Sequence, residues 1–239
     1  VRALNARVTF EDLALLDLIN SPEFWIGVAQ IVAIDLLLGG DNAVVIALAC
    51  RRLPVHQRNR AIIIGALGAI VLRIGLIFFA LELLALPYLR LIGAALLVWI
   101  GVKLLREDDE GEDNLKASTH LWGAVRTIII ADAVMSLDNV IAVAAASHGE
   151  FALVVLGILI SIPLIIWGSR LVLWLMDRFP IIIKIGAALL GWIAGEMATN
   201  DLALPAIPEW THYAAGAAGA VLVLAIGLLL NNAARRRTA

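Results

Sequence analysis

An all-α, polytopic membrane fold is what this sequence predicts, and three observations carry the prediction. Of 239 residues, 62% are hydrophobic and only 16% charged, with a mean hydropathy of +0.95; soluble domains carry roughly 25% charged residues. The apolar residues fall in blocks long enough to cross a bilayer, which takes ~20 residues of helix. Two of the blocks also repeat each other. Pro87 to Gly101 reads PYLRLIGAALLVWIG and Pro180 to Ala194 reads PIIIKIGAALLGWIA, nine of fifteen positions being identical without a gap.

The elements follow in order. Residues 1–22 are a lead-in that carries Asp and Glu and lacks the apolar core of a cleavable signal; Phe10, Leu13, Leu16 and Ile19 have the spacing of a short interfacial helix. Spans are expected near 23–49, 60–84 and 88–105, making a first three-helix repeat over 23–106. The run Glu107 to Asp113 lies in an acidic cytoplasmic linker, 107–120, and reads as solvated. Spans near 121–146, 151–175 and 181–199 make the second repeat over 121–200. A seventh helix at 211–230 precedes a basic tail, 231–239. The single cysteine, Cys50, excludes an internal disulfide.

Three spans per copy is an odd number, so the second copy must enter the membrane from the opposite face. The expectation is a 3+3 inverted repeat plus one helix, the plan of many secondary transporters. Seven spans place the termini on opposite sides. One set of loops holds Arg51, Arg52, Arg58, Arg60, Lys103, Arg106, Lys116, Arg178, Lys184 and Arg235 to Arg237, against Arg2, Arg7 and Arg90 on the other side. Basic residues are retained in the cytoplasm, which puts the N-terminus outside and the C-terminus inside, as in a bacterial inner membrane. Trp25, Trp122 and Trp210 near span ends suit the interface.

Inside the apolar blocks stand two matched motifs, Asp35-Leu-Leu-Leu-Gly39-Gly40-Asp41-Asn42 and Asp132-Ala-Val-Met-Ser136-Leu-Asp138-Asn139, 97 residues apart. Carboxylates are expensive within a bilayer and are kept for function. On a helix, positions seven apart lie within about 20° of each other, so Asp35 and Asn42 share a face with Gly39 between them. Asp132, Ser136 and Asn139 form the equivalent stripe, while Asp41 and Asp138 point roughly 120° away. Gly39-Gly40 lets the helix bend or unwind there, freeing carbonyls as additional ligands. An oxygen-only donor set suits a hard cation, Mg²⁺, Ca²⁺ or Mn²⁺, rather than Zn²⁺ or Cu⁺. Mn²⁺ gives up its water more readily than Mg²⁺, which binds reluctantly in all-protein cages. Four carboxylates exceed the charge of a dication, which opens a route to proton coupling.

Arg73, too deep in its span to snorkel, is expected to be a counter-ion for one of the Asp groups. Arg126 and Arg170 lie nearer span ends and can reach the interface. Glu196 breaks the repeat, since Lys103 is its counterpart, and suits an outer gate or ion path; Glu82 lies at a similar depth.

The segments LGGDNAVVIAL and SLDNVIAVAA, with the repeat around them, resemble the TerC family of integral membrane proteins over about residues 23–230. The resemblance implies a seven-span fold and export of Mn²⁺, with Ca²⁺ as a second substrate, in exchange for protons. It places the metal on Asp35, Asp41, Asn42, Asp132, Asp138 and Asn139; Gly39, Gly40, Ser136, Arg73 and Glu196 are the supporting residues that the motifs and intramembrane charges themselves suggest. The expected partners are the lipid bilayer, the divalent ion and protons, with no nucleic acid, no resident cofactor and no enzymatic activity.

Two other readings compete. A non-transporting membrane partner could assist protein insertion or metal loading of exported proteins. An intramembrane aspartyl protease would use two carboxylates as a dyad, but Leu38 stands where the Gly-x-Gly-Asp motif of that group has its first glycine.

Overall fold

The computed structural model describes residues 22–79, 83, 85–106, 117–146, 151–205 and 208–238, and side chains in all of these except some within helix ends and the two motifs. The lead-in, the acidic linker and Glu82 lie outside the described residues. The described chain is all-helical: α1 Pro22–Cys50, α2 Val55–Phe78, α3 Leu89–Leu105, α4 Ala117–Ala146, α5 Phe151–Arg178, α6 Ile181–Thr199 and α7 Glu209–Thr238.

These helices coincide with the seven apolar runs, with three differences. The second run extends to residue 84, but α2 ends at Phe78, where Phe79 caps it through bonds to the Ile77 and Leu76 carbonyls. Where a basic tail is expected from residue 231, α7 continues as helix to Thr238. Seven crossings were expected; by length and composition four of the described helices can cross a membrane, Val55–Phe78, Leu153–Arg178, Ile181–Thr199 and Glu209–Ala233, and five if bent α1 is one span. At 17 residues α3 is about 26 Å long, short of the ~30 Å hydrocarbon core.

The bend in α1 is 50°, between Phe24–Leu37 and Gly39–Cys50. It falls beside Gly39-Gly40, where the missing side chains remove the steric resistance to a kink. In α5, Pro163 cannot donate to the preceding turn.

Close contacts set the helix directions. Leu153 packs on Gly27, Ile31 on Gly157, Ser161 reaches Asp35, and Ala43 lies at Gly168, so α1 and α5 run parallel in a constant register. Ile128 packs on Gly65, Ile129 on Gly68, and Arg73 reaches Asp132 and Ser136, so α2 and α4 also run parallel. Two of the isoleucines that close on glycine, Ile31 and Ile128, each stand four residues before the first Asp of a motif. The repeated IGAALL helices, α3 and α6, pack on each other, as do α1 and α4. The α6–α7 crossing is closer still: a side chain at Gly191 or Gly195 would enter the α7 backbone at Gly219 or Ala215.

Polar clasps hold both ends. At one end the Arg58 guanidinium donates to the Leu53 and Arg51 carbonyls and pairs with Asp177 at 2.6 Å, and Arg51 donates to Leu104 O at 2.7 Å. At the other, the Asp201 carboxylate accepts N–H bonds from Tyr88 (2.9 Å), Leu91 (3.2 Å) and Ala203 (2.8 Å), capping α3 from the end of α6. Tyr88, the N-cap, has φ 66°, a left-handed conformation rare for a bulky residue. Burial works to raise the Asp201 pKa, but the N–H donors of Ala203, Tyr88 and Leu91 outweigh it and hold the carboxyl below the usual range. A depressed folded-state pKa means the clasp is at full strength above the unfolded value of about 3.9 and is lost as pH falls through the lower folded value. Asp201→Ala is expected to lower the midpoint of thermal unfolding at pH 7, with the gap from wild type closing as pH falls below about 4; melts across pH check this.

Large apolar side chains cover the outside, including Trp99, Trp167, Trp174 and Leu229, as lipid-facing helices require. Trp25, Trp122 and Trp210 are exposed near helix starts. Inside, the two larger of three apolar clusters divide most of the core, the third being Leu105, Ala187 and Val223. One contains Phe24, Val28, Ile31, Ile70 and Ile158; the other contains Val45, Leu48, Ile128, Met135 and Leu190. Along α1 the residues between Ile31 and Val45 carry the first motif, so its polar groups lie where one cluster gives way to the other.

Candidate functional site

Six polar side chains are buried at this junction: Asp35, Asn42, Arg73, Asp132, Ser136 and Ser161. Arg73 is 4% exposed and sits at its centre. Its Nη1 donates to Asp35 Oδ1, its Nη2 to Asp132 Oδ1, and its Nε to Ser136 Oγ at 3.0 Å. The planar fork of a guanidinium suits such bridging, which a lysine could not reproduce. The outer carboxylate oxygens are also engaged: Ser136 Oγ donates to Asp132 Oδ2 at 3.2 Å, and Ser161 Oγ lies at Asp35 Oδ2 and 2.8 Å from the Ile158 carbonyl. One guanidinium thus joins the first Asp of each motif.

The first motif's second half is different. Asn42 is 2% exposed, yet among the described residues neither its Oδ1 nor its Nδ2 has a hydrogen-bond partner. Half-buried Asp41 has an unpartnered Oδ1 in the same condition and lies within electrostatic range of Arg73 and Asp132. Leaving such groups unpaired costs about 1–3 kcal/mol each, a demand that no described side chain meets. Asn42 and Asp35 share a face as their spacing requires: a β-carbon at Gly39 would be 3.0 Å from Asn42 Nδ2 and 3.9 Å from Asp35 Oδ1.

In the second motif Asn139 is half-buried and engaged, while the Asp138 side chain lies outside the described residues. Glu196 is half-buried on α6, and no described contact joins it to the Arg73 cluster. Arg126 and Arg170 are exposed. Among the described residues no three His, Cys, Asp or Glu side chains form a ready-made metal cage; the grouping is two carboxylates held by an arginine beside an unpartnered amide and one unpartnered carboxylate oxygen.

The family model of the integral membrane protein TerC family matches residues 20–239. The chain belongs to the TerC family. This TerC chain is 50% identical over 179 residues to the uncharacterized membrane protein YjbE of Bacillus subtilis, covering 75% of the chain and 82% of YjbE. It is 27% identical to the uncharacterized membrane protein YceF of the same organism, over 76% of the chain and 74% of YceF. The UPF0053 protein YegH of Escherichia coli is 28% identical over 82% of the chain and 41% of its own length. No solved structure matches.

The TerC site contains one residue that motif reading misses, Ser161. Its signal in the sequence is a hydroxyl two residues before Pro163 in a largely apolar run that it shares with Ser169; such a group in a span is expected to face the bundle interior. The two glycines also separate. A methyl at Gly39 presses on Asn42, whereas one at Gly40 meets nothing within 4 Å. Gly39→Ala is therefore expected to weaken any ion handling by this TerC site by about tenfold or more, and Gly40→Ala to leave it unchanged. Ion-binding titrations of the two variants check the contrast.

Proposed function

We propose that this TerC protein is a secondary transporter that exports divalent metal ions, Mn²⁺ first and Ca²⁺ second, in exchange for protons across a bacterial inner membrane. The observation that carries the reading is the unpartnered Asn42 amide and Asp41 oxygen beside the bridged carboxylates. Every donor is an oxygen or an amide, as a hard dication prefers. If ionised, Asp35, Asp41 and Asp132 against Arg73 leave two unbalanced negative charges, the charge that one dication neutralises and that protons can neutralise on the return step.

The packing supports alternating access. Because α1 parallels α5 and α2 parallels α4, while α1 and α2 are joined by the tight turn at Arg51 to Pro54, α1 and α4 point in opposite senses. Two copies of a three-helix unit with opposite senses form an inverted repeat, and rocking of one against the other about Asp35 and Asp132 would expose the site to each face in turn. The basic loops orient it with its C-terminus in the cytoplasm. An aspartyl dyad, by contrast, needs two carboxylates sharing a proton, and here a guanidinium bridges them.

Cellular Mn²⁺ content tests the direction. Expression of the native chain in bacteria grown in excess Mn²⁺ should lower intracellular Mn²⁺ and raise tolerance, and Asp41→Asn should do neither at equal membrane abundance. Unchanged Mn²⁺ and Ca²⁺ content with the native chain present would count against export.

A further inference from the structure

Both oxygens of Asp35 and both of Asp132 are already engaged. Each gives one to Arg73 and the other to a buried serine, Ser161 or Ser136. An arriving ion can therefore meet the Asn42 amide and Asp41 Oδ1 directly, which have no hydrogen-bond partner among the described residues, but it reaches the paired carboxylates in competition with what already holds them. What holds them is itself a cation. All three nitrogen positions of Arg73 are used, on side chains from both α1 and α4, and the group is as deeply buried as its acceptors.

The arrangement is also one-sided. The Ile31–Gly157 and Ile128–Gly65 contacts relate α5 to α2. Counting eight residues on from Gly65 reaches Arg73, and eight on from Gly157 reaches Ile165, which is buried and apolar. The repeat thus supplies two carboxylates but one arginine, so a single guanidinium serves a pair that symmetry would otherwise treat alike.

We propose that the Arg73 guanidinium is a tethered cation occupying the seat between Asp35 and Asp132 that the transported ion takes, so that ion entry and Arg73 release are one exchange. The proposal rests on the exporter reading and deepens it. The tether makes the empty-seat state rare, and apparent affinity falls by the fraction of molecules in which the seat is open. Its role is to stop the paired carboxylates from trapping an ion that must later leave.

Mn²⁺ titration of purified protein tests this, comparing wild type with Arg73→Ala and Arg73→Lys. Lysine keeps the charge but cannot bridge two carboxylates as a fork, so a role of plain repulsion would leave its affinity at the wild-type value. The tether predicts Mn²⁺ binding tighter by about tenfold or more in both variants. It also predicts that free guanidinium at millimolar level competes with Mn²⁺ in Arg73→Ala, while sodium at equal ionic strength does not. Should Arg73→Ala fail to fold, Arg73→Lys decides alone. Wild-type binding with equal or weaker affinity in the variants overturns the tether and leaves the exporter reading standing. Absence of Mn²⁺ binding from every folded chain overturns both.

Discussion

Asp132→Ala is expected to lower folding stability by about 3–5 kcal/mol, the usual cost of breaking a buried ion pair from one side, and to abolish Mn²⁺ transport. Arg73 Nη2 and the Ser136 hydroxyl would lose their acceptor together, and the buried guanidinium would keep Asp35 as its one directly bonded carboxylate, with Ser136 Oγ on Nε. Unfolding in detergent micelles, followed by helical signal against denaturant, gives the stability change. Flux through reconstituted protein gives the functional one. Asp132→Asn keeps the shape and one acceptor, so it should lose less stability while losing transport as completely, because the missing charge cannot hold either cation.

Asn42→Leu is expected to do the opposite to stability and the same to function. Asn42 is buried, with neither amide atom partnered among the described residues. Replacing it by an apolar group of similar size removes an unmet polar demand, which should stabilise the fold by about 1–3 kcal/mol. The same change removes an oxygen ligand from the face shared with Asp35 and should reduce Mn²⁺ flux to background. A residue kept for packing would show loss of both; a gain in melting temperature with loss of transport identifies a group held for a ligand. If Asn42→Leu transports normally, Asn42 is not part of the ion path.

Much of this was legible in the sequence because bilayer physics leaves few choices. The apolar runs mark the helices, the spacing of seven places Asp35 and Asn42 on one face, and Gly39-Gly40 marks where α1 bends. Arg73 reads as a counter-ion because a cation that deep needs one, and it lies between Asp35 and Asp132. What the sequence does not display is the packing partner. That α1 lies on α5 rather than on its neighbour α2 depends on contacts such as Ile31 with Gly157, between residues far apart in the chain. The role of Ser161 is hidden for the same reason, since of two serines in a largely apolar run it becomes a site residue only through Asp35 on the helix opposite. The end of α2 at Phe78 is set by local backbone geometry that continued apolar composition conceals.

If the buried carboxylate and amide cluster carries divalent ions against protons, Mn²⁺ movement into proteoliposomes with an acidic interior, native chain beside Asn42→Leu, tests it most directly. The expected result is Mn²⁺ uptake by the native chain, proton efflux in step with it, collapse when a protonophore dissipates the gradient, and no uptake by the variant. Folded, correctly inserted native protein that moves neither Mn²⁺ nor Ca²⁺ under the gradient would contradict it.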